Sequence, residues 1–254
     1  MNAEVLYEKD GEIAIVTINR PERRNALSAA VCRQLRAAWE RFEADGALKA
    51  AILTGAGDKA FCAGWDIAEK RSGIELTEAD VAPRVETTSR VTKPVVAAVN
   101  GAALAAGMAL AEACDLIVAA EGAWFALPEV KLGLHTAPFV QSHWTLPQRI
   151  LMELLLTGEP LGARRAYDIG FVNRVVPLSE LLGEALRLAN TIARSAPLVV
   201  KANKEMVYKG IEAMGMPAAH RIAKELSEPI SRSEDAKEGF RARAEGRPPR
   251  WAGR

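Results

Sequence analysis

The chain opens on two stretches in which apolar and polar residues alternate, "EVLYEK" and "EIAIVTINR", joined around Asp10-Gly11. Period-two alternation turns one face of a strand toward a core, and an Asp-Gly step supplies the positive φ of a tight turn. Two antiparallel strands are therefore expected first. After "PERRNAL" the period changes: Val31, Leu35, Ala38, Trp39 and Phe42 recur at helical spacing with Arg33, Arg36, Glu40 and Arg41 outward, which predicts a helix capped by Ser28. The run "AAILTG" (50–55) reads as a buried strand. A loop with "KAFCAGWDI" (59–67) follows, then a polar helix near 77–91, the strand "PVVAAVN" (94–100), a helix from about 106 and the strand "DLIVAA" (115–120). Strands alternating with helices imply right-handed βαβ units. Beyond about residue 147 the pattern is mostly helical. "LSELLGEALRLANTIARS" places Leu182, Ala185, Leu188 or Ala189, and Ile192 on one face, and helices are expected near 197–210, 216–231 and 233–244, with "FVNRVV" (171–176) as a late strand. A core over residues 1–194 and a helical appendage over 195–254 is the expected organisation.

Composition narrows the functional classes. The 254 residues are 49% hydrophobic, enough for a substantial core. With 33 basic and 32 acidic residues the net charge is +1, so no broad field attracts nucleic acid or an anionic membrane, and any anion must be held by local groups. Cys32, Cys62 and Cys114 are odd in number and lack metal-ligand spacing, which points to buried thiols in a reducing, cytoplasmic setting and to no metal site. The first 25 residues have no hydrophobic leader segment, and the longest weakly polar stretch is broken at Asn100-Gly101, so neither a secretory signal nor a membrane span is expected.

That weakly polar stretch, "VVAAVNGAALAAGMALAEACD" (95–115), carries almost no side-chain bulk between Asn100 and Gly107, and its carboxylate, Glu112, comes late. Small residues allow close packing of a helix on a strand, and they also let a ligand approach the backbone.

The ordered segments "TINRPERRNALS" (17–28), "KAFCAGWDI" (59–67), "KPVVAAVNG" (93–101), "ACDLIVAAEGAWFALPEVKLGL" (113–134) and "SEDAKEGFRARAEGRPPRWAGR" (233–254) together resemble the enoyl-CoA hydratase/isomerase (crotonase) superfamily over nearly the whole chain. Gly-Trp-Asp in the first loop, "FALPEVKLGL" and the C-terminal segment look most like crotonobetainyl-CoA (carnitinyl-CoA) hydratases. The resemblance implies an α/β fold, a crotonase-like ββα superhelix with a C-terminal helical trimerisation region over 195–254, assembled as a homotrimer or a hexamer. It implies acyl-CoA thioester substrates and no cofactor beyond the CoA carried by the substrate. It also implies an oxyanion hole built from the backbone N–H groups of Trp65 and Ala106. A thioester carbonyl that becomes an enolate gathers charge on oxygen, and each fixed donor can lower that barrier by roughly 3 kcal/mol.

Hydratases of this superfamily use two glutamates. Glu129, in "LPEVKLG", matches the second, and Ala109 stands where the first belongs. Glu112, three residues further on and about 4.5 Å along the helix axis, is the alternative candidate for that role. A single glutamate suffices for a Δ3,Δ2-enoyl-CoA isomerase, where one base takes a proton at C2 and returns it at C4. Hydratase-type chemistry, isomerase-only chemistry and a silent CoA-thioester-binding role all remain open at this level. By position, CoA contacts carry over to Arg24, Ala26, Ala63, Asp66 and Ile67, with Ala109 and Leu134 toward the substrate. His135 and His143 are further acid/base candidates, and Phe139 and Trp144 are expected to narrow the acyl pocket.

Overall fold

The computed structural model describes residues 3–70, 83, 91–132, 142–212, 225, 229 and 232–254. Most of each helix expected near 77–91 and 216–231 lies outside the described residues, as do Leu134, His135, Phe139 and the side chain of His143.

The opening hairpin forms as its pattern demands. Strands β1 (Val5–Asp10) and β2 (Ile13–Ile18) pair antiparallel with Val5 opposite Ile18, and Gly11 takes φ 57° in the turn. Helix α1 (Ala29–Ala44) starts where Ser28 accepts the Val31 N–H at 3.1 Å, and its buried face is Val31, Cys32, Leu35, Ala38, Trp39 and Phe42. There follow β3 (Ala50–Gly55), β4 (Ala60–Cys62) and α2 (Ile67–Lys70), then β5 (Val95–Val99), β6 (Ala102–Leu104) and α3 (Ala106–Ala113). Next come β7 (Leu116–Ala120), β8 (Trp124–Ala126) and a 3-10 turn (Pro128–Leu132). The chain continues through α4 (Ser142–Thr145), α5 (Gln148–Thr157), β9 (Leu161–Gly162), α6 (Ala163–Asp168), β10 (Arg174–Val176), α7 (Leu181–Ala193), α8 (Pro197–Glu212) and α9 (Glu234–Glu245).

Two sheets result. The larger has the order β1-β2-β3-β5-β7-β10 and is parallel from β2 onward; the smaller has the order β4-β6-β8-β9. The pairs β3-β4, β5-β6 and β7-β8 each send one strand to the large sheet and the next to the small one before a helix or turn, giving a repeated strand-strand-helix plan, whereas β1 and β2 both lie in the large sheet. All five residues of β5 are buried, which is why its sequence is a continuous Val/Ala run without alternation. The strands of the small sheet are two or three residues long, too short for periodicity to reveal.

Helix α7 packs on β3 and β5 through Leu181, Ala185, Ala189 and Ala193. The face expected around Leu182 is thus rotated: Leu182 is 44% exposed, and Leu188 and Ile192 sit at the margin. An alanine every fourth residue brings the helix backbone close to the sheet, and this outweighs the bulk of the leucines. Beyond α7, Lys204 of α8 is buried against Asp115 (2.9 Å), and Tyr208 donates to the same carboxylate at 3.1 Å. Asp235 of α9 accepts the N–H groups of Ala252 and Gly253, at 2.6 and 3.0 Å, so the C-terminus folds back on this helix. No helix of the described residues is long and apolar enough to cross a membrane, and among them no His, Cys, Asp and Glu cluster could hold a metal ion.

Candidate active site

The small sheet gathers the candidate residues. Its first three strands run parallel, with Cys62 paired to Ala103 and Leu104 to Ala126. Neighbouring parallel strands end side by side, so the residues just beyond β4, β6 and β8 emerge at one edge. Trp65, Ala106 and Glu129 are each two or three residues past those strand ends.

Backbone bonds then fix which way two N–H groups point. Gly64 C=O accepts the Leu27 N–H at 2.8 Å, and Leu27 C=O accepts the Asp66 N–H at 2.9 Å. Across a trans peptide the carbonyl and the following N–H point in opposite directions, and no peptide among the described residues is cis. The Trp65 N–H is therefore turned away from Leu27. Likewise Ala105 C=O accepts the Ala109 N–H at 3.1 Å as the first bond of α3, so the Ala106 N–H points out of the helix N-terminus, where the helix dipole is positive. The two loops touch: a Cβ placed on Gly64 would lie 3.0 Å from Ala105 Cβ and 3.6 Å from Ala106 N. Preorganised donors of this kind suit an oxygen that is gaining charge.

The corner costs backbone strain. Ala105 holds φ 51° and ψ −124°, a region L-residues avoid at about 1–3 kcal/mol. Its N–H is fixed to Ala126 C=O at 2.9 Å. Gly64 holds φ 86°. Gly107 is required for a different reason, since a Cβ there would stand 2.0 Å from the Cys62 carbonyl oxygen. The low bulk of this stretch thus serves close packing at Gly107 and accompanies the strained corner at Ala105.

Buried polar side chains brace the loops from behind. Fully buried Asn25 donates to Ala56 C=O (2.9 Å) and Ala60 C=O (2.7 Å) and accepts the Arg20 N–H (3.0 Å). Asn100 donates to Gly57 and Ala60 carbonyls at 2.8 and 3.1 Å. Arg20 reaches Ala26 C=O (2.8 Å) and Asp66 Oδ2 (3.2 Å), and Asp66 Oδ1 accepts the Ala68 N–H (3.1 Å) at the start of α2. Burial pushes the Cys62 thiol up to about 12, so it stays protonated and is no nucleophile.

Comparisons with known proteins give the relationship. The sequence pattern of the family described as enoyl-CoA hydratase/isomerase matches residues 8–254. The chain belongs to this family. It is 38% identical over 264 residues to carnitinyl-CoA dehydratase of Escherichia coli strain K12, covering both chains fully. Among solved structures, enoyl-CoA hydratase from Mycobacterium tuberculosis H37Rv superposes with a TM-score of 0.92 at 40% identity, and that from Mycobacterium marinum with 0.91 at 41%; all of each chain is covered. The mixed α/β architecture is the crotonase fold of the hydratases.

Within that enoyl-CoA hydratase/isomerase fold, the positions expected to hold CoA come together. The bridge between Leu27 and Trp65, and the Ala63 N–H donated to Arg24 C=O at 3.0 Å, align 24–27 beside 63–66. Arg24 is exposed and edges a cavity of about 280 Å³ that Pro21, Gly57 and Lys59 also line. Ala26 is buried, Ala63 half-buried, and Ile67 is 58% exposed at the head of α2. Ala109 is buried in the first turn of α3. Glu129 is half-buried in its 3-10 turn, with Oε2 shielded from solvent. Glu112 is buried and accepts hydroxyl bonds from Ser142 (2.8 Å) and Thr145, both on α4. Arg20, Asn25 and Asn100 were not singled out from sequence; only the dense polar run "NRPERRN" and the Asn-Gly step hinted at them.

Proposed function

We propose that the protein is an acyl-CoA enzyme that polarises a thioester carbonyl between the N–H groups of Trp65 and Ala106 and moves a proton at C2 with Glu129. One observation carries the reading: the register of the small sheet and the trans peptides at 64–65 and 105–106 direct two backbone donors from abutting loops at the edge where Glu129 emerges. The relatives support the substrate class, since their names place carnitinyl-CoA and enoyl-CoA, both thioesters, on this fold. As C2 loses or gains its proton, charge on the carbonyl oxygen is met by donors that need no reorganisation. Arg24 carries the cation for a CoA phosphate, Ala26, Ala63 and Ile67 offer the surface beside it, and Asp66 holds the loop through Arg20. Ala109 and Leu134 are assigned to the acyl side. The helices from 195 onward are assigned to subunit assembly as a homotrimer or a hexamer.

A narrower reading, isomerase-only chemistry, is favoured by Ala109. A buried methyl in the first turn of α3 offers no second proton-transfer group, and shifting a double bond from C3 to C2 needs only one base. Crotonyl-CoA hydration and 3-enoyl-CoA isomerisation, assayed side by side in wild type and Glu129→Gln, test both readings. Turnover lost in Glu129→Gln supports the site; turnover unchanged refutes it. Isomerisation without hydration, with hydration gained in Ala109→Glu, supports the narrower reading. Thioester binding without any turnover assigns a binding role instead.

A further inference from the structure

Glu112 is the one charged residue of α3, and the helix is buried over its whole length. A carboxylate there is costly unless its oxygens are hydrogen-bonded. Both are: Ser142 Oγ donates to Oε2 at 2.8 Å and Thr145 Oγ1 donates to Oε1. The two hydroxyls are three residues apart and so share one face of α4. From α4 the connection continues. α4 packs on α5, and α5 packs on the 3-10 turn that carries Glu129. At the far end of α5, the stem of Lys131 lies against Gly158, 3.1 Å from where a Cβ would be, and Lys131 Nζ reaches Glu159 at 2.7 Å. A closed circuit therefore runs from Ala106, at the head of α3, through Glu112, α4 and α5 to Glu129.

We infer that Glu112 is a positioning residue that sets the distance between the oxyanion donor at Ala106 and the acid/base at Glu129. The inference rests on the reading of those two residues given above. It separates Glu112 from the role left vacant by Ala109: the carboxylate is engaged by α4 and acts through Glu129. Glutamine can serve both hydroxyls, because a hydroxyl rotates to donate to its carbonyl or to accept from its amide. A positioning role therefore survives Glu112→Gln, whereas an acid/base role does not.

The test measures kcat and KM on whichever thioester the wild type turns over, together with calorimetric affinity for an acyl-CoA and the melting temperature. Glu112→Ala and the double variant Ser142→Ala/Thr145→Val are each expected to lower kcat about tenfold, since sub-ångström misplacement of a catalytic group is costly. KM and acyl-CoA affinity should hold within about twofold, because the CoA contacts lie on other loops. Glu112→Gln should keep kcat within about threefold, and combining Glu112→Ala with the double variant should add nothing further. Loss of kcat in Glu112→Gln as deep as in Glu129→Gln would overturn the proposal in favour of acid/base chemistry. An unchanged kcat in folded Glu112→Ala would overturn it too, with the Glu129 reading intact. A wild type without turnover would overturn both.

Discussion

Gly64 is the residue on which the geometry of the donor pair can be tested most sharply. It adopts φ 86°, where an alanine costs about 1–2 kcal/mol. The added Cβ would meet Ala105 Cβ and the Leu104 carbonyl oxygen, each at 3.0 Å, several tenths of an ångström inside ordinary contact. Both belong to the backbone path leading to the Ala106 N–H, which cannot swing aside like a side chain. Relief comes only by separating the loop of Trp65 from the loop of Ala106. Strain and displacement together amount to about 3 kcal/mol, a fall in Tm of roughly 6–12 °C for a chain of this size. Loss of one donor's alignment should lower kcat by about 100-fold. Gly122, with open space where a Cβ would sit, is the control, and Gly122→Ala should stay within about 0.5 kcal/mol of wild type. The assay pairs kcat and KM on the turned-over thioester with a melting curve. A folded Gly64→Ala protein with wild-type kcat would show that the two loops can part without consequence and would rule out the donor pair.

Gly107→Ala should be the most damaging of the glycine-to-alanine substitutions among the described residues. Its Cβ would stand 2.0 Å from a backbone oxygen of β4, so α3 must lift from the small sheet, and a loss of at least about 3 kcal/mol is expected in the urea midpoint; a wild-type midpoint would contradict this. At the other end of the chain, hydrogen bonds from Arg247, then the Arg250 N–H, hold the Glu238 carboxyl down to about 2 from an ordinary 4.5. A depressed carboxylate contributes stability above its unfolded value and loses it as pH falls through the folded one. The Tm difference between wild type and Glu238→Gln should be level above about pH 5 and close between 4.5 and about 2. A difference independent of pH would count against the clamp.

The large sheet was legible because its signals are carried by side chains. Alternation marked β1 and β2, unbroken apolar runs marked β3, β5 and β7, and Ser28 with its spaced apolar residues marked α1. The small sheet was not, because β4, β6 and β8 are three residues each and their pairing depends on loops folding around them. The burial face of α7 was legible in part: Ala185 and Ala189 are buried as their spacing indicates, while Leu181 and Ala193 take the places expected for Leu182 and Ile192 because alanines let the helix approach the sheet. The candidate site was legible only in part for a related reason. Glu129 shows in the sequence, whereas the directions of the Trp65 and Ala106 N–H groups depend on peptide planes that no side chain reports. Gly64 and the small residues around Ala105 marked where the backbone is special without saying which way it turns. Arg20, Asn25 and Asn100, which bind the backbone at Ala26, Ala56, Gly57 and Ala60 and the Asp66 carboxylate, look in sequence like any loop polar residues.

In the proposed chemistry Glu129 moves a proton at C2 of a thioester whose carbonyl is held by the Trp65 and Ala106 amides. Exchange of the C2 protons of butyryl-CoA for solvent deuterium, followed by NMR, reads that step without requiring the full reaction. The wild type should exchange these protons, and Glu129→Gln should exchange them at least about 100-fold more slowly with calorimetric affinity for butyryl-CoA retained. Equal exchange in the two proteins, or binding without exchange in the wild type, would contradict that chemistry.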